Sequence, residues 1–83
     1  MTINMGTIII GRKENYTQRL DYDSNGDVLY MGQGETGMLE SEPYWQIKKF
    51  SYDSSGNLLK IIYADGNENK DNVWNDRASL SYS

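Results

Sequence analysis

The sequence contains no cysteine and no histidine, and each absence removes a class of site. Without cysteine no disulfide can reinforce the fold, and without thiolate and imidazole ligands the usual zinc sites are excluded. Histidine is also the commonest general base, so few candidates remain for acid–base catalysis. We therefore expect that the chain is not an enzyme and that it binds no cofactor and no metal ion.

Long apolar runs are also missing. The chain holds only one phenylalanine, and no stretch approaches the roughly 20 apolar residues that span a bilayer. Residues 2–5 lack the basic start and apolar region of a signal peptide. These features predict that the chain is made in a cytoplasm and has no membrane partner.

Basic residues are too few and too scattered for a nucleic-acid interface. Lys and Arg number 8 against 12 acidic residues, giving a net charge of −4. Phosphate binding needs a basic patch. The adjacent pairs Arg12-Lys13 and Lys48-Lys49 fit a solvated strand face better than such a patch. We expect no nucleic-acid partner.

Aromatic residues are the abundant feature, with seven tyrosines and two tryptophans in 83 residues. A single domain of this size (1–83) buries only about 60–65% of its unfolded surface, so its stability margin is thin. Such a chain gains stability from aromatic-rich packing or from burial against other subunits.

Strand-forming residues recur between turn signals, and no segment has helical spacing over three turns, although residues 72–77 could form a short helical turn. The segment 57–64 is apolar on both faces, which predicts a central strand. Ala78, Leu80 and Tyr82 alternate with serines, which predicts a final strand with one buried face. The other expected strands are 7–10, 16–22, 28–31 and 44–52. This pattern predicts an all-β fold: a small antiparallel sandwich, barrel or meander of about six strands.

Two turn sequences of the same kind lie thirty positions apart, at 23–26 and 53–56. Aspartate suits the first position of a type I turn, and glycine suits the fourth, where a left-handed conformation closes a bulged hairpin. We interpret the pair as one turn solution used twice rather than as a duplication. The predicted turn formers are Asp23, Gly26, Asp53, Gly56, Asp65 and Gly66.

Glycine-rich residues 32–42 predict a long loop before the single proline, Pro43. A loop over 32–43 would be flexible or folded over an end of the sheet. Within it, Met38-Leu39 would be a contact point if exposed and a plug for the core if buried. We favour the plug.

Two acidic patterns suggest chemistry, and both have a simpler explanation. Alternating Asp and Asn in 65–71 resemble half of a calcium loop, but Lys70 and Asp76 stand where glycine and glutamate are required. A polar hairpin loop fits better. Asp53, Asp65 and Asp76 could pair for glycoside hydrolysis, yet carboxylates at such positions are usually turn formers.

Aromatic side chains could form a sugar-binding platform, a core or a subunit interface. In so small a domain the tryptophans are needed for the core, which favours core or interface. Arg77 is expected to stack on an aromatic ring and to pair with Asp65 or Asp76, pinning the final strand. The structural and interface candidates are Tyr30, Trp45, Ile47, Phe50, Tyr52, Tyr63, Trp74, Asp76, Arg77, Leu80 and Tyr82.

Several motifs between Tyr30 and Ser83 occur together. They are Y-x-G-x-x-x-x-G from Tyr30, W-x-I from Trp45, an aromatic-acid-x-x-Gly-Asn hairpin from Tyr52, A-D-G-N at 64–67 and V-W-x-D-R-A-S-x-S-Y at 73–82. With these motifs the chain resembles a family of small proteins encoded by tailed bacteriophages and related mobile elements. Tyr63 departs from the family, whose members often have tryptophan there.

The resemblance implies a structural role in the virion rather than catalysis. Small all-β phage proteins commonly serve as capsid decorations, head–tail connectors, or tail and baseplate parts. The implied partners are other virion proteins and further copies of this chain as a homo-oligomer, with localisation in the virion. The alternative is a small soluble binding module that recognises a glycan or a host protein through exposed rings and the 32–42 segment.

Overall fold

The computed structural model describes residues 16–83, which form one antiparallel sheet with strands in chain order. The strands are β1 (Tyr16–Tyr22), β2 (Val28–Glu35), β3 (Gln46–Tyr52) and β4 (Leu58–Tyr63), followed by a 3-10 helix over Trp74–Ser79. The all-β expectation is confirmed, in its meander form. The strand expected at 7–10 lies outside the described residues. No helix in residues 16–83 is long and apolar enough to cross a membrane.

Both hairpin turns have the conformation that their sequences predict. In the first, Gly26 N donates to Asp23 O at 3.0 Å, and Asp23 N donates to Asp27 O at 2.8 Å. The second repeats this pattern at 3.0 and 2.9 Å, and Gly26 and Gly56 both have φ of +87°. Each aspartate Oδ1 also accepts two backbone N–H groups of its own turn. Local turn chemistry therefore sets the register of both hairpins.

The equivalence of the two hairpins extends beyond the turns. β1 and β3 begin and end thirty positions apart, and both hairpins shift register by one residue just before the turn. The pairing passes from Asp21–Tyr30 to Tyr22–Val28 in one hairpin, and from Ser51–Lys60 to Tyr52–Leu58 in the other. The sheet is thus two similar bulged hairpins joined side by side through β2 and β3.

The expectation that the apolar segment 57–64 forms a central strand is wrong. In the sheet that residues 16–83 form, β4 is an edge strand, and Leu58, Leu59 and Ile61 are 48%, 64% and 43% exposed. Only the end of its outer edge is paired within the described chain: Tyr63 and Ser83 exchange two backbone hydrogen bonds at 3.1 Å. The apolar side chains of β4 are therefore exposed on the surface, because the segment that follows β4 does not pair along it as a full strand.

The final segment is not the strand that its alternation predicts. Trp74–Ser79 forms a 3-10 helix, and only the isolated Ala64–Tyr82 bridge follows. The helix turns the Trp74 ring into the core, which an extended chain running along β4 would not do. Of the roughly six expected strands, one lies outside the described residues and this last one is replaced by the helix, so residues 16–83 hold four strands.

The expected 32–43 loop is shorter than predicted, because β2 continues to Glu35. Its glycines at 32 and 34 are buried strand residues that leave room for the tryptophan rings and for Met38. Met38 packs against the core, whereas Leu39 is 63% exposed. The plug interpretation therefore holds for Met38 and not for Leu39.

Candidate interaction surface

One face of the sheet is covered by the loops and the C-terminal segment, and the core lies there. Its buried apolar residues are Tyr30, Trp45, Ile47, Ala64 and Trp74. Leu80 and Tyr82 pack against this cluster from the C-terminal segment. We call this side the covered face.

The two tryptophans form the centre of the covered face. Their ring centroids lie 6.1 Å apart at an interplanar angle of 41°. Trp45 Nε1 donates a hydrogen bond of 2.9 Å to Leu39 O, so its polar atom is satisfied. Both rings are almost fully buried, at 0% and 4% exposure. Neither can serve as a stacking surface for a sugar without unfolding the core.

Arg77 fixes the 3-10 helix to the opposite edge of the sheet. Its guanidinium lies 4.4 Å from the centroid of the Trp74 ring, as a cation–π stack. Its Nε donates to Asp21 Oδ2 at 3.0 Å and its Nη1 to Trp74 O at 3.2 Å. The stack on a ring was expected, but the acidic partner is Asp21 on β1 rather than Asp65 or Asp76. Asp76 is exposed and donates its backbone N–H to Val73.

A second cation–acid pair on the covered face has no signal in the sequence. Arg19 Nε donates to Glu40 Oε2 at 2.6 Å, and its guanidinium lies 5.6 Å from the Trp45 ring centroid. These partners are 21 residues apart, and Glu40 lies in a loop without periodicity. Each of the two arginines therefore packs against one core tryptophan, Arg19 against Trp45 and Arg77 against Trp74.

Tyr82 closes the core next to the edge of the sheet. Its ring lies 5.7 Å from that of Tyr30, and its hydroxyl donates to Arg77 O at 2.8 Å. Burial is the main cause that raises the pKa of Tyr82 to about 12, and Tyr30 and Asp65 add to it while Arg77 opposes it.

Raising the pH is expected to weaken the fold through Tyr82. The folded pKa of about 12 lies above the ordinary tyrosine pKa of 10.0. Between these values the unfolded state releases the proton first, so stability is full below about pH 10 and is lost as pH rises toward about 12. Urea unfolding over this range measures the effect. The Tyr82→Phe variant is expected to lose stability less steeply with pH, and an unchanged slope would contradict the assignment.

The other side of the sheet, the open face, consists of alternate residues of the four strands. The pairing places Leu20, Met31, Lys48 and Tyr63 in one row, and Phe50 beside Ile61 in the next. Gln18, Gln33 and Gln46 form a polar row on the other side of the first. Tyr16, Tyr22 and Glu35 complete this face at the ends of β1 and β2.

The most exposed apolar residues of the open face lie toward its hairpin-turn end, whereas Tyr16, at 38%, lies at the other end. Leu20, Tyr22 and Ile61 are 45%, 54% and 43% exposed, and Met31 and Phe50 are half-buried between them. At the opposite end the 65–72 loop approaches: Gln46 Nε2 donates to Glu68 O at 2.9 Å, and Lys70 Nζ lies 5.0 Å from the Tyr16 ring centroid. The open face is thus partly lined by its own loop at one end and apolar at the other.

The sequence candidates divide between the two faces. Six lie in or against the core: Tyr30, Trp45, Ile47, Trp74, Leu80 and Tyr82. Phe50 and Tyr63 lie on the open face, and Tyr52 donates its hydroxyl to Val28 O at 2.7 Å, tying the two hairpins together. Leu20, Tyr22 and Ile61 were not among the sequence candidates. The alternation in β1 offered a signal for the first two, since it places Leu20 and Tyr22 on the same face of the strand.

Three aspartates at the two hairpin turns, Asp23, Asp27 and Asp53, line a cleft of about 340 Å³. The pKa of Asp53 lies below its ordinary value, mainly because Asn57 donates a backbone and a side-chain hydrogen bond to its carboxylate. Its carboxylate therefore serves the turn. Within residues 16–83, no group of three or more acidic side chains is placed to hold a metal ion.

The expected turn formers Asp65 and Gly66 both have positive φ, at 60° and 71°. Asn67 N donates to Ala64 O at 3.4 Å across them, and Asn67 Oδ1 accepts from Asn69 N at 2.9 Å. The segment that resembles half of a calcium loop is therefore a turn held by its own backbone.

Comparison with protein-family models, with curated proteins and with solved structures finds no match to this chain.

Proposed function

We propose that this chain is a structural protein of a tailed bacteriophage that acts through protein–protein contacts and self-association. The observation that carries the proposal is the open face, where large apolar side chains are exposed although the core lies on the other side of the sheet. Contiguous apolar surface of this kind is typical of interaction sites. The resemblance of the 30–83 motifs to phage proteins supports the same role.

A structural role also fits the polar groups of the molecule. The arginines at 19 and 77 are paired with carboxylates and stacked on the core tryptophans. The turn aspartates Asp23 and Asp53 accept backbone hydrogen bonds. These contacts stabilise the fold, and they leave the open face to make contacts with partners.

A second candidate is a small binding module for a glycan or a host protein. The exposed rings of Tyr22 and Tyr44, at 54% and 53%, favour it, since such rings stack on sugars. A glycan array separates the two candidates. Binding that is lost in Tyr22→Ala or Tyr44→Ala would favour the module over the structural role.

Mass spectrometry of purified particles tests the structural role. We expect the chain in mature virions of a phage that carries its gene, at a stoichiometry matching a ring or a repeated site. In a phage that lacks the gene, Leu20→Arg is expected to restore assembly less well than Leu39→Arg. Both replaced residues are exposed, but only Leu20 lies on the open face. Absence of the chain from virions and from assembly intermediates would contradict the proposal.

A further inference from the structure

We propose that two copies of this chain pack their open faces against each other, forming a two-layer sandwich of two four-stranded sheets. The inference rests on the self-association part of the proposed function and names the surface that carries it. It is independent of where the chain works, because it concerns the purified protein alone.

The distribution of charge points to a second copy as the occupant. The chain carries a net charge of −4, so copies repel each other unless the contacting surfaces exclude acidic groups. Among the strand residues that define the open face, only Lys48 and Glu35 are charged. Lys48 Nζ lies 5.7 Å from the Tyr63 ring centroid, and Lys70 Nζ lies 3.5 Å from Glu35 Oε2. The face is therefore nearly neutral on an acidic molecule.

The acidic groups lie mainly at the turns and in the loops. Asp23, Asp27 and Asp53 line the cleft at the hairpin end, and Asp65 stands in the turn after β4. A strongly basic partner would bind this cleft rather than the open face. The open face instead suits a neutral apolar sheet surface, and another copy of the same chain presents one.

The shape of the surface fits the packing of one sheet on another. Two sheets pack about 10 Å apart with their inner side chains interdigitated, and their strands lie within about 30° of each other. Leu20, Met31, Phe50 and Ile61 form two adjacent rows across all four strands. A two-fold axis would place these rows of one copy against the same rows of its partner.

The size of the open face sets the strength of the contact. Four strands about 4.8 Å apart, with seven residues rising about 3.3 Å each, span roughly 19 by 23 Å. This projected area is about half of the ~800 Å² of accessible surface that each partner contributes to a standard interface. The dimer is therefore expected to be weak and to form with rising concentration.

Sedimentation equilibrium over a concentration series tests the inference on the full chain. The wild type is expected to shift from the mass of one chain toward the mass of two. The Leu20→Arg variant is expected to weaken association at least tenfold, because it places a charge within the apolar rows that would pack against the partner. The Leu39→Arg variant adds the same charge to an exposed loop residue and is expected to associate like the wild type. Near-ultraviolet circular dichroism of the buried tryptophans verifies that both variants are folded.

Either of two other arrangements would overturn the inference. If residues 1–15 of the same chain cover the open face, the full chain stays monomeric and only a variant lacking them associates. If association runs through the free edge of β4, Leu20→Arg leaves it unchanged, because Leu20 lies on β1 at the other edge of the sheet. A monomer at every concentration also overturns it. Virions that contain the chain, together with a monomeric purified protein, would leave the role in the virion standing and remove the self-association on which this inference rests.

Discussion

Replacing Trp45 with alanine is expected to lower the free energy of unfolding by about 3–5 kcal/mol, the usual cost of truncating a buried tryptophan. Trp45 is 0% exposed, contacts the Trp74 ring and donates its indole N–H to Leu39 O. A chain of 83 residues has a total stability of only about 4–12 kcal/mol. The loss is therefore a large fraction of the total, and at the lower end of this range the variant is partly or fully unfolded at room temperature.

Tyr44→Ala is the matched control for this experiment. Tyr44 is the preceding residue and also aromatic, but it is 53% exposed. Its truncation is expected to change the free energy of unfolding by about 0.5 kcal/mol or less. Urea unfolding followed by far-ultraviolet circular dichroism, at one fixed protein concentration, compares the two variants. Equal losses in both would contradict the placement of Trp45 at the centre of the core.

Adding a single methyl group at Gly32 is expected to cost about 2–3 kcal/mol through overpacking. A Cβ at this position would lie 2.5 Å from Cε3 and 2.8 Å from Cζ3 of Trp74, and 3.1 Å from Cε3 of Trp45. Both rings would have to move, although an arginine stacks on each and the indole N–H of Trp45 is bonded to Leu39 O. Tryptophan fluorescence during urea unfolding measures the loss.

Gly34→Ala separates this close approach from a general intolerance of side chains in β2. Gly34 is two residues further along the same face, and its added Cβ would meet Met38 at 3.3 Å and Tyr44 O at 3.4 Å. The flexible Met38 can move by the few tenths of an ångström required, and removing a glycine restricts the unfolded chain. We expect stability within about 1 kcal/mol of the wild type. A loss at Gly34 as large as that at Gly32 would rule out the proposed cause.

The hairpins were predictable because their signals are local. Aspartate and glycine three positions apart determine a turn within four residues, and the structure has that turn at 23–26 and at 53–56. The all-β class follows from the same signals repeated along the chain. Neither conclusion required knowledge of which surfaces meet.

The position of β4 and the shape of the last segment could not be read in the same way. An apolar segment such as 58–63 is typical of a central strand and also of an edge that meets a partner. For 73–82, the alternation with serine indicated a strand, but the burial of Trp74 favours a 3-10 helix. Contacts between residues far apart in the sequence determine both structures, and a short stretch of sequence does not reveal those contacts.

The glycines of β2 show why part of the site was missed. Gly32 and Gly34 indicated a loop by composition, but in the sheet they provide the space that the tryptophan rings and Met38 occupy. The pairs Arg19–Glu40 and Arg77–Asp21 join residues 21 and 56 positions apart. No short-range pattern connects such residues, so their charges could be predicted but their partners could not.

The order of the strands in the chain has a consequence for how quickly each part of the molecule forms. Each strand pairs with its immediate neighbour in sequence, so the sheet can grow by closing short segments, which is a fast process. Docking of the 3-10 helix instead brings together Asp21 and Arg77, across most of the described chain. We expect the hairpins to form early in refolding and the Trp74–Ser79 helix to dock last, so a protease is expected to cut the C-terminal segment first.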